Sequence, residues 1–366
     1  MRCCVQCFKD EEIKSIINKQ SEVGKCDFCG AQSINVYDIE SNSTLTELFD
    51  GLLEVYTPAS NLPKDFPKEN LDSLKNIMHS TWSIFNLGTT GVYNLLKNIC
   101  HEKYRERPEL FDGTVGILEI AQVDYLEKNS ILRTFKWDDF VEDIKKKSRF
   151  HTNHFNTKML EPFLFLAART YKKGAVFYRA RICDNPNGYD KSQMGAPEKA
   201  PGGRANPEGI RCLYLADSEE TTLHEIRAGE LDYVTIGEFV AQKDLVVANL
   251  DKIDKISPFL SYSSTSIDYT QHAINIEHLK RIGLEIAKPL RRYDSPLDYL
   301  PTQFICDYIK SCGFDGIEYL STMHRGGFNL AVFYEGHFQC SDTTVYDIKS
   351  LTYTYDKLKK SCYYED

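Results

Sequence analysis

The sequence contains no long apolar segment and no concentration of charge at either end. No run reaches the roughly 18 apolar residues that a membrane-spanning helix requires, and the first residues lack the apolar core of a signal peptide. The net charge of -9 comes from 53 acidic and 44 basic residues spread along the chain. We therefore expect a cytoplasmic protein without a membrane span, and nucleic acid is not an expected partner.

The glycine motif of dinucleotide-binding Rossmann folds is also missing, because no Gly-x-Gly-x-x-Gly opens a helix after a strand. The 366 residues are 42% hydrophobic and 27% charged, which is typical of a globular chain with two or three domains. Twelve cysteines in a chain without an export signal favour reduced thiols. Clustered cysteines are therefore candidates for metal binding.

Two pairs of cysteines stand close to the N-terminus. Two residues separate Cys4 from Cys7 and Cys26 from Cys29, and eighteen residues lie between the pairs. This spacing is typical of a Cys₄ zinc site, and because four thiolates fill a tetrahedral site, the zinc would be structural. Four unrelated buried thiols are the alternative, and Cys3 is the expected bystander, although it could replace Cys4.

The sequence pattern changes along the chain and predicts an α+β protein with several domains. Apolar residues recur at intervals of three and four from about residue 40 to 172, which predicts helices. Short β-branched and aromatic runs alternate with helical segments after residue 174. The predicted domains are a zinc ribbon-like module over 1–37, a helical domain over 38–172, an α+β domain over 173–354 and a tail over 355–366.

The C-terminal elements can be placed from these runs. Phe, Tyr, Val and Ile dominate the strand segments, and apolar residues at helical spacing mark the helices between them. The predicted strands are 175–182, 211–216, 232–240, 244–250, 316–320, 328–334 and 344–354, and the predicted helices are 219–229, 272–288 and 299–312.

Two arginines share one face of the first of these strands. The alternation of side chains in a strand puts Phe177, Arg179 and Arg181 on one side, so that side meets water or an anionic ligand. The next segment, 183–211, contains five glycines and four prolines, including the run Gly-Gly-Arg204-Ala-Asn206. Long loops of this kind are usually functional, and a surface insertion without a role is the alternative.

Glu225 and Ser321 lie where predicted elements meet loops. Glu225 falls in the second turn of the helix that begins after Asp217-Ser218, and Ser321 follows the strand 316–320. Each has an ordinary alternative: Thr222 and Glu225 fit a capping box, and Ser321 fits a loop serine.

In order and approximate spacing these residues resemble the RES family, which is named for its arginine, glutamate and serine. The resemblance covers roughly 174–354, and the N-terminal half is similar to the HEPN/RES-type domain of some members. Ala205 departs from the pattern, because many members have tryptophan there. The matched positions are Arg179, Arg204, Asn206, Gly209, Tyr214, Glu225, Ser321 and Asn329.

The resemblance implies a fold similar to ADP-ribosyltransferases and an enzyme that consumes NAD as a toxin or phage-defence effector, by hydrolysis or phosphorolysis of the nicotinamide-ribose bond. An antitoxin or regulatory protein is then an expected partner, and self-association stays open. Because loss of nicotinamide leaves positive charge on the ribose, Glu225 would stabilise that charge, Arg179 would clamp the pyrophosphate and Ser321 would orient the ribose. The predicted NAD-binding residues are Arg181, Arg204, Asn206, Tyr214 and Asn329.

Three other functions stay open. The same site could transfer ADP-ribose to a protein or nucleic acid, or the chain could be a binding module without catalysis. Arg149 and His154 have the spacing of HEPN-type ribonucleases, although a basic run at a helix end is also explained by the helix dipole. His224 and His324, which flank the predicted site in sequence, receive no catalytic role because isolated histidines are more often structural.

Overall fold

The structure, a computed structural model, describes residues 1–260, 267–290 and 294–352. The predicted tail over 355–366 lies outside the described residues. The helices in these ranges are α1 Glu11–Gln20, α2 Thr44–Leu53, α3 Leu74–Asn76, α4 Thr89–Ile99, α5 His101–Glu106, α6 Pro108–Asp112, α7 Val123–Asn129, α8 Trp137–Lys146, α9 Thr157–Leu166, α10 Glu219–Glu225, α11 Tyr269–Ala287 and α12 Leu300–Ser311. The strands are β1 Arg2–Cys4, β2 Val23–Gly24, β3 Ile34–Asp38, β4 Thr57–Pro58, β5 Asp72–Ser73, β6 Thr114–Gly116, β7 Ala168–Tyr171, β8 Val176–Cys183, β9 Leu213–Ala216, β10 Tyr233–Ala241, β11 Leu245–Asn249, β12 Gly316–Leu320, β13 Phe328–Val332 and β14 Phe338–Asp347.

The chain forms two compact units, and it returns twice to the first of them. The first unit consists of Met1–Thr170, Pro201–Ile210 and Val246–Tyr319. The second consists of Tyr171–Ala200, Arg211–Leu245 and the described residues from Leu320 onward. The bounds of these compact units are not those of the predicted domains. The predicted domain division is not tested by them and stays a prediction.

In the first unit the cysteine-rich segment and the helices that follow it share one core. Main-chain bonds join them, since the Lys9 amide donates to the Ile84 carbonyl at 2.7 Å. The rings of Phe8 and Phe85 lie 5.2 Å apart, and the Phe85 ring stacks on Phe49 of α2. All three side chains are fully buried, so the N-terminal segment packs against the helices in one core.

The long helices of the first unit follow local signals in the sequence. α11 begins after Asp268, whose side chain accepts a hydrogen bond from the Gln271 amide at 2.7 Å, while Gln271 Oε1 accepts one from the Asp268 amide at 3.2 Å. This capping box starts the helix three residues before the predicted 272–288, and α12 lies within the predicted 299–312. No helix in the described ranges has the length and apolar character needed to cross a membrane.

The strands confirm the prediction of an α+β fold in its coarse form. In the second unit five strands lie in the order β14-β10-β8-β9-β13 and pair antiparallel, whereas in the first unit β11 pairs in parallel with β12. One predicted strand, 344–354, is misplaced, since β14 covers Phe338–Asp347. β14 is largely exposed, so pairing with β10 fixes its position and apolar alternation does not reveal it.

Candidate functional site

Glu225 is the last residue of the short helix α10, in the second unit. The helix begins after Ser218, whose hydroxyl accepts a hydrogen bond from the Thr221 amide at 3.1 Å. Ser218 is thus the helix cap, and the alternative of a capping box from Thr222 to Glu225 is wrong. Leu223 and the adjoining Ile226 pack against the buried cluster of Ala180 in β8 and Val234 and Ile236 in β10, which leaves Glu225 at the end of the helix.

Three predicted residues meet there in what we call the Glu225 cluster, formed by Glu225, Ser321 and Asn329. The Ser321 hydroxyl donates to Glu225 Oε1 at 2.6 Å, and the Asn329 amide nitrogen donates to the same oxygen at 2.8 Å. Ser321 and Asn329 are 8% and 4% exposed. Two bonds on one oxygen fix the carboxylate, and within the described ranges Oε2 accepts no hydrogen bond.

The loop after β12 controls the direction of the Ser321 hydroxyl. The main-chain amides of Met323 and His324 donate to Ser321 Oγ at 3.2 and 3.0 Å. The Ser321 amide in turn donates to the Gly327 carbonyl at 3.0 Å, which closes the loop. Because two donors already approach the oxygen, the hydroxyl proton points to Glu225. Ser321 is therefore a loop serine with a defined role in holding the carboxylate.

β8 and β9 separate next to this cluster. They pair at one position, Tyr178 with Ala216, and Ala216 pairs on its other side with Asn329 of β13. Beyond that pair the Ala180 amide donates to Thr222 Oγ1 at 2.9 Å, and the Tyr214 carbonyl accepts from Arg179 at 3.2 Å. Side chains thus satisfy main-chain groups that a paired sheet would use. We call the separation of β8 and β9 beyond Tyr178 and Ala216 the notch.

Arg179 lies in the notch and is not part of the Glu225 cluster. Side-chain alternation directs it to the face of β8 opposite Ala180, on which α10 packs. Its Nε is buried and has no hydrogen-bond partner in the part of the chain that the structure describes. Burial lowers the pKa of the Arg179 guanidinium, and the charge of Arg181 lowers it further. A half-buried cation with an unused donor is suited to an anionic ligand.

Arg181, on the same face, is engaged with the loop that follows β8. Its guanidinium lies 4.5 Å from the centre of the Tyr189 ring and donates to the carbonyl of Gln193. The Tyr189 amide donates to Thr235 Oγ1 at 3.0 Å, which ties the loop to β10. These contacts hold the loop, and the predicted contact of Arg181 with NAD stays a prediction.

Arg204 and Asn206 lie in the first unit, where both bond main-chain carbonyls. Arg204 donates to Ile286 and Ala287, both at 3.1 Å, at the end of α11. The Asn206 amide nitrogen has three carbonyl acceptors within its own loop, at 2.9 to 3.2 Å, and the residue is 3% exposed. Their predicted binding of NAD also stays a prediction.

The four predicted cysteines converge in the first unit. Their sulfur atoms all lie within 4.8 Å of one another, and Cys3 is not in the group. Cys4 Sγ lies 3.8 Å from Cys7 Sγ and 3.4 Å from Cys29 Sγ, and Cys7 Sγ lies 3.5 Å from Cys26 Sγ. A tetrahedral zinc site with bonds of about 2.3 Å separates its sulfurs by about 3.8 Å, so this thiol set fits zinc.

The motif of the nuclease alternative is also in the first unit. Arg149 is exposed, whereas His154 is engaged, with Nδ1 3.3 Å from Asp143 Oδ2 and its ring 3.8 Å from that of Phe135. Asp143 is 6% exposed. This geometry explains His154 as a structural partner of a buried carboxylate.

Sequence reasoning missed the residues that connect these features. Thr222 satisfies the separated strand β8, and Thr221 lies 2.9 Å from His324 in the loop that carries Ser321. The buried hydroxyls of Thr221 and Thr222 give no periodic signal in the sequence. His224 and His324 are far apart in sequence and meet only in the folded chain. The sequence offered one indication, since His224 directly precedes Glu225.

Comparison with known proteins agrees with the expected family. Residues 176–356 match the family model of the RES domain, which confirms the resemblance for this part of the chain. A similar chain occurs in the crystal structure of the M. tuberculosis MbcT-MbcA toxin-antitoxin complex, with 14% identity and a TM-score of 0.29, over 51% of this chain and 92% of that chain. The curated proteins contain no match. The HEPN-like nature of the N-terminal half stays a prediction.

Proposed function

We propose that this chain, whose residues 176–356 are a RES domain, is an enzyme that cleaves the bond between nicotinamide and ribose in NAD. The observation that carries the proposal is the Glu225 cluster, in which Ser321 and Asn329 fix one carboxylate oxygen by hydrogen bonds of 2.6 and 2.8 Å. A carboxylate held by donors on one oxygen keeps the other oxygen in a defined place, as catalysis of a reaction with developing positive charge requires.

The chemistry follows from the charge that develops on the ribose. The C1′–N bond breaks, nicotinamide leaves with the bonding electrons, and the sugar approaches an oxocarbenium ion. Glu225 stabilises that cation through Oε2, and an oxygen of water or phosphate then bonds to C1′. Preorganised groups of this kind contribute about 3 kcal/mol each to transition-state stabilisation. Water loses one proton to the solvent and gives ADP-ribose, and phosphate gives ADP-ribose phosphorylated at the same C1′.

Arg179 supplies the second element of the site. Its buried Nε and the neighbouring Arg181 make the notch positively charged, which suits the pyrophosphate of NAD. Tyr178, Ala216 and Asn329 are neighbours across three strands, so β8 and β13 are about 10 Å apart at this point. That separation allows one extended dinucleotide to reach both the notch and the Glu225 cluster.

The direct test is incubation of the purified chain with NAD and measurement of released nicotinamide, with and without phosphate. Glu225→Gln should reduce release by about 10²- to 10³-fold, because the amide cannot carry the charge. The exposed Glu230 provides the control, and Glu230→Gln should release nicotinamide at the wild-type rate. A phosphate requirement selects phosphorolysis, and labelled ADP-ribose on a protein or nucleic acid selects transfer. Equal release by Glu225→Gln and wild type would remove the catalytic assignment.

We also propose a toxin role for this activity. Expression of the wild-type chain should lower cellular NAD and stop growth, whereas Glu225→Gln should do neither. Growth arrest without loss of NAD would contradict this role. An antitoxin would restore both growth and the NAD level, and its capture by the Glu225→Gln chain would identify it.

The cysteine group is proposed to hold structural zinc. Metal analysis should find about one zinc per chain, because four thiolates complete one site. Cys26→Ser should lose the zinc and unfold the N-terminal segment, whereas Cys3→Ala should retain the zinc, since Cys3 is outside the group. A wild-type chain without zinc would refute this assignment.

A further inference from the structure

The loop that carries Ser321 is attached to helix α10 by more than its bond to Glu225. Thr221 Oγ1 and His324 Nδ1 lie 2.9 Å apart, and Thr221 is fully buried. A Cβ added at Gly327 would lie 2.3 Å from Thr221 Oγ1, so only glycine permits this approach of loop and helix. The loop 321–327 therefore contacts α10 at both ends of the loop, through Ser321 and through Gly327.

A second contact involves two imidazole rings. The rings of His224 and His324 are stacked, with centroids 5.2 Å apart and an angle of 7° between their planes. His324 Nε2 lies 3.7 Å from Glu220 Oε1, and Glu220 is exposed. Residues 220 and 224 are one turn apart on α10, so His324 lies against one face of the helix that ends in Glu225.

His324 therefore joins the two sides of the Glu225 cluster. Its main-chain amide donates to Ser321 Oγ at 3.0 Å, while its side chain contacts Thr221 and His224 of α10. Displacement of the side chain would move the amide that directs the Ser321 hydroxyl. It would also change the distance between Ser321 Oγ and Glu225 Oε1, which is 2.6 Å.

We propose that His324 is a positioning residue for the cleavage of NAD. It acts through Ser321 by holding the loop 321–327 on α10, and it does not contact the reacting atoms. The inference rests on the proposed function, since it concerns the rate of the same reaction. The positioning role predicts that loss of the imidazole lowers kcat. KM for NAD should not change, because the proposed binding of NAD by Arg179 in the notch does not depend on His324.

The first experiment compares His324→Ala with His324→Asn. His324→Ala should lower kcat by roughly 10- to 100-fold, the effect expected when a catalytic group is displaced by a fraction of an ångström to 1 Å, with KM for NAD within about twofold of wild type. His324→Asn should recover most of the lost activity, because its amide can replace Nδ1 opposite Thr221 Oγ1. His101→Ala, at an exposed histidine of the first unit, is the matched control and should retain wild-type kcat.

A second experiment measures the connection between loop and helix. Thr221→Val keeps a side chain of similar size against Gly327 but removes the hydroxyl, which lies 2.9 Å from His324 Nδ1 and 2.8 Å from Ser218 Oγ. If the two residues act together, Thr221→Val and His324→Ala should each lower kcat, and the double variant should lose little more than either single one. Hydrogen exchange of the peptide covering 321–327 should quicken in both variants and stay unchanged in His101→Ala.

The outcomes separate this inference from the proposed function. Faster exchange of 321–327 together with reduced kcat and unchanged KM supports the positioning role. If the wild-type chain cleaves NAD and His324→Ala has the same kcat, the positioning role is overturned but the proposed function is not. Equal losses in His324→Asn and His324→Ala, or additive losses in the double variant, also overturn it. A wild-type chain that does not cleave NAD overturns the proposed function and the positioning role with it.

Discussion

The Glu225 cluster of the second unit and the Pro201–Ile210 loop of the first unit use polar side chains in different ways. In the cluster, Ser321 and Asn329 donate to a third side chain, Glu225, whose Oε2 accepts no bond within the described ranges. In the loop, Arg204 and Asn206 donate to main-chain carbonyls. In the cluster one carboxylate oxygen stays available as an acceptor, whereas in the loop these donors bond the main chain.

The difference matters because both regions have the residue types expected of a ligand site. An arginine beside glycines looks the same in sequence whether it meets a phosphate or the end of a helix. A carbonyl partner removes the cost of burying a donor without any ligand, so the donor adds to folding stability. An arginine with a buried, unused Nε, such as Arg179, has lost solvation and gains from an anion.

Among the variants that test this comparison, Ser321→Ala is expected to have the largest effect. The variant removes the 2.6 Å hydrogen bond to Glu225 and leaves the amides of Met323 and His324 without their acceptor. We expect kcat for nicotinamide release to fall about 100-fold, or about 2.7 kcal/mol in the barrier. Thr322→Ala, at the exposed neighbouring position, should keep wild-type kcat. A kcat within twofold of wild type in Ser321→Ala would show that the cluster does not position Glu225.

A smaller effect on substrate binding is expected for Arg179→Met. KM for NAD should rise about 30-fold, or about 2 kcal/mol, because the cation that is proposed to bind the pyrophosphate is lost. The free energy of unfolding should not decrease, since removal of a half-buried charge with an unused donor offsets the lost bond to Tyr214. Steady-state kinetics and urea unfolding measure the two quantities. Loss of stability without a change in KM would place Arg179 with the folding residues.

Much of the fold could be predicted because burial is periodic in most elements. β12, at Gly316–Leu320, was placed to the residue, and α12 lies within one residue of its predicted ends. β14 could not be placed, because its side chains are largely exposed and pairing with β10 decides its register. The chain's return to the first unit at Pro201–Ile210 was also hidden, since it depends on contacts far apart in sequence.

The candidate site divides in the same way. Glu225, Ser321 and Asn329 could be chosen from family-like spacing, and the structure brings them together. The sequence around Thr222 fits only a helix cap, yet the Thr222 hydroxyl accepts a hydrogen bond from the Ala180 amide where β8 separates from β9. No local pattern reveals that separation, because it depends on how the strands pair.

Asn206→Ala tests the loop side of the comparison. Asn206 has three carbonyl acceptors and is buried, so its loss leaves those carbonyls with fewer donors. We expect the free energy of unfolding to fall by about 1.5 kcal/mol, measured by urea unfolding. KM for NAD should change less than in Arg179→Met. A rise in KM that matches Arg179→Met, with no loss of stability, would assign Asn206 to the substrate.

Arg204→Met is expected to have the smallest effect, because the Arg204 side chain is only half-buried. The guanidinium donates to the carbonyls of Ile286 and Ala287 and lies 5.1 Å from the centre of the Tyr319 ring. Methionine keeps part of the aliphatic packing but loses the charge that favours the end of α11, so the free energy of unfolding should fall by about 1 kcal/mol. The KM of Arg204→Met for NAD should stay closer to the wild-type value than the KM of Arg179→Met does. If KM instead rises about 30-fold, as for Arg179→Met, the loop must bind NAD as well as fold, and the contrast between the two regions would be wrong.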